Sequence, residues 1–182
     1  MNPATSVEEI RLLSDRAALQ DLIYKYCRGI DRRDFELVRE CYHEDATDDH
    51  GEQFCGTRDG FIAWLPGALA QFEATQHRIS NVLLAIDGDY AEGESYAVAY
   101  HRTPPPDAKE LIGTGRYVDN FERRNGIWKF SHRMCINDSM SINTVDPGVF
   151  KDWVAAIAVA QPNESDPSYR HLRLLTRKSI RN

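Results

Sequence analysis

The amino-acid sequence predicts an α+β fold: a cone-shaped α+β barrel in which three N-terminal helices pack on a curved antiparallel sheet. Two observations carry this. Apolar residues recur at helical spacing as far as Phe72, and from Gln76 onward they alternate at strand spacing in segments joined by tight-turn signals. Helices grouped before strands argue for α+β rather than an alternating parallel α/β sheet. A curved sheet with helices across one face encloses a hollow, and ligand sites are commonly such concave, mostly apolar spaces.

Ser6-x-x-Glu9 reads as a capping box that opens the first helix. Ile10, Leu13, Ala17, Leu19, Ile23, Tyr26, Cys27 and Ile30 supply its apolar positions, and it is expected to end near Gly29 to Asp31. A second helix is predicted from about Arg33 to His43, on Phe35, Leu37, Val38, Cys41 and Tyr42. Glu44 to Gly56 is polar and Asp-rich, with alternation enough for a short strand at most. The third helix spans about Arg58 to Phe72, with Pro66 expected to kink or divide it.

Gln76 to Ile86 begins the sheet. Asp87-Gly88-Asp89 turns the chain into Tyr90 to Arg102, and the Pro104-Pro105-Pro106-Asp107 run is a loop, because proline cannot donate to a ladder. Leu111 to Arg123 and Ile127 to Asn137 follow, joined by Asn125-Gly126, the strongest short hairpin signal. Phe150 to Val159 is a candidate terminal helix, and from Gln161 the chain is polar and expected to be loosely held.

A length of 182 residues suits one domain, with residues 1–145 as the cone and 146–182 as a C-terminal helix and tail of the same unit. A net charge of −6 argues against non-specific nucleic-acid binding. No apolar run approaches the ~20 residues that span a bilayer, and no basic-then-apolar leader is visible, so a cytoplasmic protein is expected. Cys27, Cys41, Cys55 and Cys135 are scattered without a CxxC pair. They are expected to be buried thiols rather than a zinc site, and no metal or cofactor is predicted.

Two residues place charge or proton-transfer capacity at apolar elements. Asp31 ends an apolar helix face and His77 opens an apolar strand. Taken singly, Asp31 reads as a helix-end or turn carboxylate and His77 as a surface or hydrogen-bonded strand histidine.

The surrounding pattern adds to this. Tyr24-x-Tyr26-Cys27-Arg28-x-Ile30-Asp31-x-x-Asp34, Phe54-x-Gly56, Gln76-His77-x-x-x-Asn81, Asp87-Gly88-Asp89-x-Ala91 and Gly126-Ile127-Trp128-Lys129-Phe130 before Arg133 resemble, in order and spacing, the SnoaL-like family of the nuclear-transport-factor-2-like superfamily. The resemblance covers about residues 8 to 137. It extends to scytalone dehydratase and hexachlorocyclohexane dehydrochlorinase, and it implies a catalytic pair at His77 and Asp31. A carboxylate that fixes the imidazole tautomer lets the ring act as a general base near neutral pH.

The same resemblance marks substrate-binding candidates. His50 stands where a pocket tyrosine is implied; it could polarise an oxygen or relay a proton, or be an exposed loop histidine. Tyr26 replaces an implied lysine and also reads as core. Arg133 matches a late-strand arginine that either holds a polar ligand group or makes an ion pair on the sheet. His101 and Tyr117 lie on the long strands, and Phe54 and Trp64 are candidates to line the mouth. The implied function is a cofactor-independent lyase or isomerase acting on a hydroxylated aromatic or alicyclic small molecule, dehydration being the default reaction, in a homodimer or homotrimer. The competing readings are a non-catalytic assembly subunit, similar to a ring-hydroxylating dioxygenase β subunit, and a small-ligand-binding protein.

Overall fold

A computed structural model describes residues 6–145 and 156–175. Helix α1 spans Val7–Asp31, opened by the Ser6–Glu9 capping box. Its buried positions include Asp15, Leu19, Leu22, Ile23, Tyr26, Cys27 and Ile30. Ile10, Leu13 and Ala17 are exposed; at 3.6 residues per turn they fall on the opposite side of the helix from the buried stripe. Helix α2, Phe35–Glu40, is shorter than its apolar residues predict. The Asp34 carboxylate caps it by accepting from the Leu37 N–H at 3.2 Å. Tyr42, expected in that helix, instead opens strand β1, Tyr42–Asp49.

A 3₁₀ turn, Gly51–Gln53, leads to β2, Cys55–Thr57, and α3, Arg58–Leu69, which Thr57 caps. Pro66 does not divide α3: it lies exposed within one unbroken helix. Four long strands complete the sheet: β3 Ala74–Asp87, β4 Tyr90–Arg102, β5 Lys109–Arg124 and β6 Ile127–Thr144. Asn125 and Gly126 both have positive φ (54° and 79°), the geometry that a two-residue β5–β6 hairpin requires. β6 runs past its expected end at Asn137 because the β5 ladder continues, pairing Lys109 with Thr144.

The six strands form one curved sheet in the order β2-β1-β6-β5-β4-β3. β1 pairs with β6 in parallel, where an antiparallel sheet was expected. No hairpin joins those two strands, so no turn dictates their relative direction. On β3 an extra residue between Ile79 and Val82 keeps both side chains facing the core. Helices α1 and α3 pack their buried faces, Leu19 to Ile30 and Phe61 to Leu69, onto Phe121, Trp128 and Phe130 of the sheet.

Part of the helix expected over Phe150 to Val159 lies outside the described residues, and 156–159 are not helical. Residues 168–171 form a short helix, α4, Ser168–His171. Among the described residues, no helix is long and apolar enough to cross a membrane.

Candidate active site

The concave face of the sheet is hollow at its centre because β4 and β5 contribute Ala97, Ala99, Gly113 and Gly115 there. Their small side chains leave a cavity of about 780 Å³, roofed by Tyr26, Phe61, Trp64 and Phe72 from the helical side. At Gly115 an added Cβ would lie 2.1 Å from the Ile136 carbonyl oxygen, so the backbone approach that shapes this wall requires glycine.

His77 and Asp31 meet at the cavity wall. Asp31 is the last residue of α1, and His77 sits on edge strand β3 with its ring on the inner face. The ring Nδ1 bonds Asp31 Oδ1 at 2.7 Å, and the His77 backbone N–H donates to Oδ2 at 3.0 Å. Their side chains retain 8% and 11% exposure, so the pair is largely shielded yet reachable. An ionised carboxylate only accepts, so it holds the proton on Nδ1 and leaves Nε2 with a free lone pair. No described residue hydrogen-bonds Nε2.

A smaller hollow of about 240 Å³, lined by Tyr24, Arg28 and Arg32, reaches the same pair from outside. Those two arginines also hold the C-terminal segment. Arg32 donates to the Gln161 carbonyl and pairs with Asp166 at 3.7 Å, and Arg28 donates to Ser168 Oγ.

His101, opposite Thr75 on the β3–β4 ladder, packs its ring against Phe72 and edge-on to His77 at 5.6 Å. Burial first, and then repulsion from the His77 ring in its protonated form, push it down to about 4. His101 is therefore neutral beside His77 at ordinary pH.

His50 also lines the cavity, its ring stacked on Phe61 at 5.1 Å, and is not an exposed loop residue. Its Nδ1 bonds Asp48 Oδ1 at 2.5 Å and its Nε2 contacts Cys135 Sγ at 3.1 Å. Burial pushes the Cys135 thiol up, so it stays a neutral thiol. Asp48 and Cys135 were not singled out for this site from the sequence. The spacing Asp48-x-His50 at the end of a strand was the available signal, since alternate strand residues share a face.

Tyr26, Trp64 and Tyr117 line the cavity as well. Tyr26 and Tyr117 are buried, and burial pushes both hydroxyls well above the ordinary tyrosine range.

Two candidates stand elsewhere. Phe54 packs on Phe61 and Trp64 behind the cavity wall and is not among its lining residues. Arg133 faces no ligand space: it has no exposure, and its Nε and Nη2 donate to the two oxygens of Asp119 at 2.7 and 2.8 Å. Rings of Tyr26, Tyr117 and Phe130 surround it at 4.1 to 4.2 Å. Burial works against its charge, and Asp119 more than offsets that, holding the guanidinium firmly cationic. Of the two sequence readings, the ion pair on the sheet is the one present. Of the cysteines, Cys27 and Cys41 are buried, with both thiols pushed by burial to about 12, whereas Cys55 is exposed on β2.

Comparison with known proteins places this architecture. Residues 11–134 match the SnoaL-like domain family. An uncharacterised protein of Mycobacterium tuberculosis (strain ATCC 25618 / H37Rv) is 27% identical over 135 residues, covering 71% of this chain and 89% of its own. Among solved structures, a provisionally named scytalone dehydratase from Novosphingobium aromaticivorans DSM 12444 is 25% identical with a TM-score of 0.65, over 74% of this chain and 91% of that one. A type 2 hexachlorocyclohexane dehydrochlorinase has a TM-score of 0.68 over 78% of this chain and 99% of its own; at 20% identity it shows the shared fold alone. The family match begins inside α1, ends on β6 and takes in Asp31, His50 and His77, and the chain belongs to the SnoaL-like domain family, with the nuclear-transport-factor-2-like fold.

Proposed function

We propose that this protein is a lyase or isomerase that acts by general-base catalysis on a small hydroxylated aromatic or alicyclic molecule. One observation carries the reading: Asp31 fixes the His77 ring at 2.7 Å, while no described residue hydrogen-bonds the opposite ring nitrogen at the wall of a cavity of about 780 Å³. That volume lies within the common range of small-molecule sites, and the Tyr26, Phe61, Trp64 and Phe72 rings suit a flat substrate.

In this scheme Nε2 of His77 removes a proton from carbon, and Asp31 stabilises the imidazolium that forms. The C–H electron pair becomes a new double bond. It expels a leaving group in an elimination, or shifts an existing double bond in an isomerisation. Dehydration is the favoured reaction; dehydrohalogenation and retro-aldol cleavage use the same base. None of these steps calls on a metal or an organic cofactor. The neighbours' names describe losses of water and of hydrogen chloride, which both need a base beside a carbon acid. A homodimer or homotrimer through the outer sheet face, which exposes Leu83, Tyr96 and Met134, accords with this reading and is checked by analytical ultracentrifugation.

The test is a mass-spectrometric turnover screen of chelator-treated protein against hydroxylated aromatic and alicyclic compounds, beside a His77→Ala variant. Turnover by the wild type alone supports the reading. Equal turnover by both removes His77 from the chemistry. Absence of turnover, combined with absence of any thermal-shift response to the panel, favours an assembly role.

A further inference from the structure

The cavity contains a second histidine–carboxylate pair that the scheme above leaves unused. Asp48 is wholly buried, and both its oxygens are engaged: Oδ1 by His50 Nδ1 at 2.5 Å and Oδ2 by the Tyr42 hydroxyl at 2.6 Å. Burial and the Asp48 charge push the Tyr42 hydroxyl well up, so Tyr42 serves Asp48 as a donor. A carboxylate without exposure is costly unless its lone pairs are satisfied and its charge is matched. Arg133 is the register neighbour of Asp48 on β6, but its charge goes to Asp119 on its other side. Among the described residues, His50 is the basic group within ion-pair distance of Asp48. An imidazolium at His50 balances that charge and presents an N–H from Nε2.

We propose that His50 is a second catalytic residue, the acid that protonates the substrate's leaving or enolate oxygen, with Asp48 and Tyr42 as positioning residues. The inference rests on the function proposed above. His77 enters the cavity from edge strand β3, and His50 from the turn after β1, across the sheet. The substrate is therefore one that presents a C–H to the first histidine and an oxygen to the second. Among the described residues, His50 Nε2 meets only the Cys135 sulfur, a weak hydrogen-bond partner that an oxygen would displace.

The step balances. His77 Nε2 gains the carbon proton, the C–H pair forms the double bond, and the C–O bond breaks with its pair on oxygen. His50 gives that oxygen its Nε2 proton, releasing water. Solvent then carries the proton from His77 back to His50, and no oxidant or reductant is used.

The test needs no natural substrate. Phenols mimic an oxygen that carries developing charge, and 4-nitrophenol has a visible phenolate band that reports its protonation state when bound. Binding of 4-nitrophenol and of phenols of graded acidity is measured for wild type, His50→Gln, Asp48→Asn, Tyr42→Phe and His77→Gln, using variants whose melting is cooperative. The expected result is a perturbed nitrophenolate band in the wild type, and affinity that follows phenol acidity. His50→Gln should lose about 10- to 100-fold in affinity, the range of a charge-assisted hydrogen bond, and flatten the acidity dependence. Asp48→Asn and Tyr42→Phe should shift the dependence in the same direction, and His77→Gln should keep it. A merely structural role for His50 would leave the slope unchanged. No binding by the wild type, or binding indifferent to His50, overturns the inference. With a turned-over substrate the two proposals separate. Activity lost in His77→Ala but kept in His50→Gln sinks this inference alone, whereas activity kept in both sinks the function itself.

Discussion

His77 holds both oxygens of Asp31, one through its ring and one through its own backbone N–H. The carboxylate that orients the imidazole is itself oriented by the residue it serves. This couples the end of α1 to the start of β3 at the point where the two meet the cavity.

Asp31→Asn tests that coupling. The amide oxygen can still accept the backbone N–H, but the amide NH₂ would donate to Nδ1 and force the proton onto Nε2. The ring then has no lone pair for the substrate. Turnover of any substrate found should fall by about 10²–10⁴-fold, with only a small change in melting temperature. Retained turnover with a folded variant would remove the orienting role from Asp31.

The Arg133–Asp119 pair predicts a stability effect rather than a binding effect. Arg133→Met leaves Asp119 buried without its cation, at a cost of about 3–5 kcal/mol. The double variant Arg133→Met with Asp119→Leu should recover much of that, because an apolar pair replaces an ionic one. Urea unfolding of the two singles and the double measures it. A single variant that costs under about 1 kcal/mol would show that the pair does not hold the sheet.

The two hairpins and the Asp31 end of α1 were legible because capping and turn residues act locally: Asn125-Gly126 needs no tertiary partner to be read. β1 was legible as a short strand at most, since an Asp-rich stretch has little strand propensity and is held by parallel pairing with a strand more than 80 positions later. For the same reason Asp48 read only as part of a polar, Asp-rich stretch, although it is one of the most deeply buried carboxylates. His77 and Asp31 were legible through family resemblance rather than through periodicity. Arg133 carried two readings that only the position of Asp119 on the neighbouring strand could separate.

His101 sets an acid limit on stability. Its folded value of about 4 lies below the ordinary 6.5, caused first by burial and then by the facing His77 charge, with Asp31 opposing. Between these values the unfolded chain binds more protons than the folded one. The stability contribution is therefore complete above about pH 6.5 and is lost as pH falls towards 4, by roughly 2–3 kcal/mol. His101→Phe, a ring of similar shape against Phe72, should flatten the dependence of melting temperature on pH between those limits. An unchanged slope would mean that another group dominates acid unfolding.

Ala99 decides whether the hollow is the working site. It lies on β4 between His77 on β3 and Gly113 on β5, and its methyl group faces the cavity. Leucine there fills empty space instead of overpacking a core, so Ala99→Leu should leave the melting temperature unchanged or slightly raised, each Å² of newly buried apolar surface contributing about 25 cal/mol. The same side chain would stand beside the His77 ring and exclude a flat substrate. Calorimetric ligand binding and turnover should both fall by at least about tenfold, since displacing a ring from its pocket costs more than 1.4 kcal/mol. A stable Ala99→Leu protein with wild-type binding would place the ligand outside this cavity and leave the Asp31–His77 pair a structural hydrogen bond.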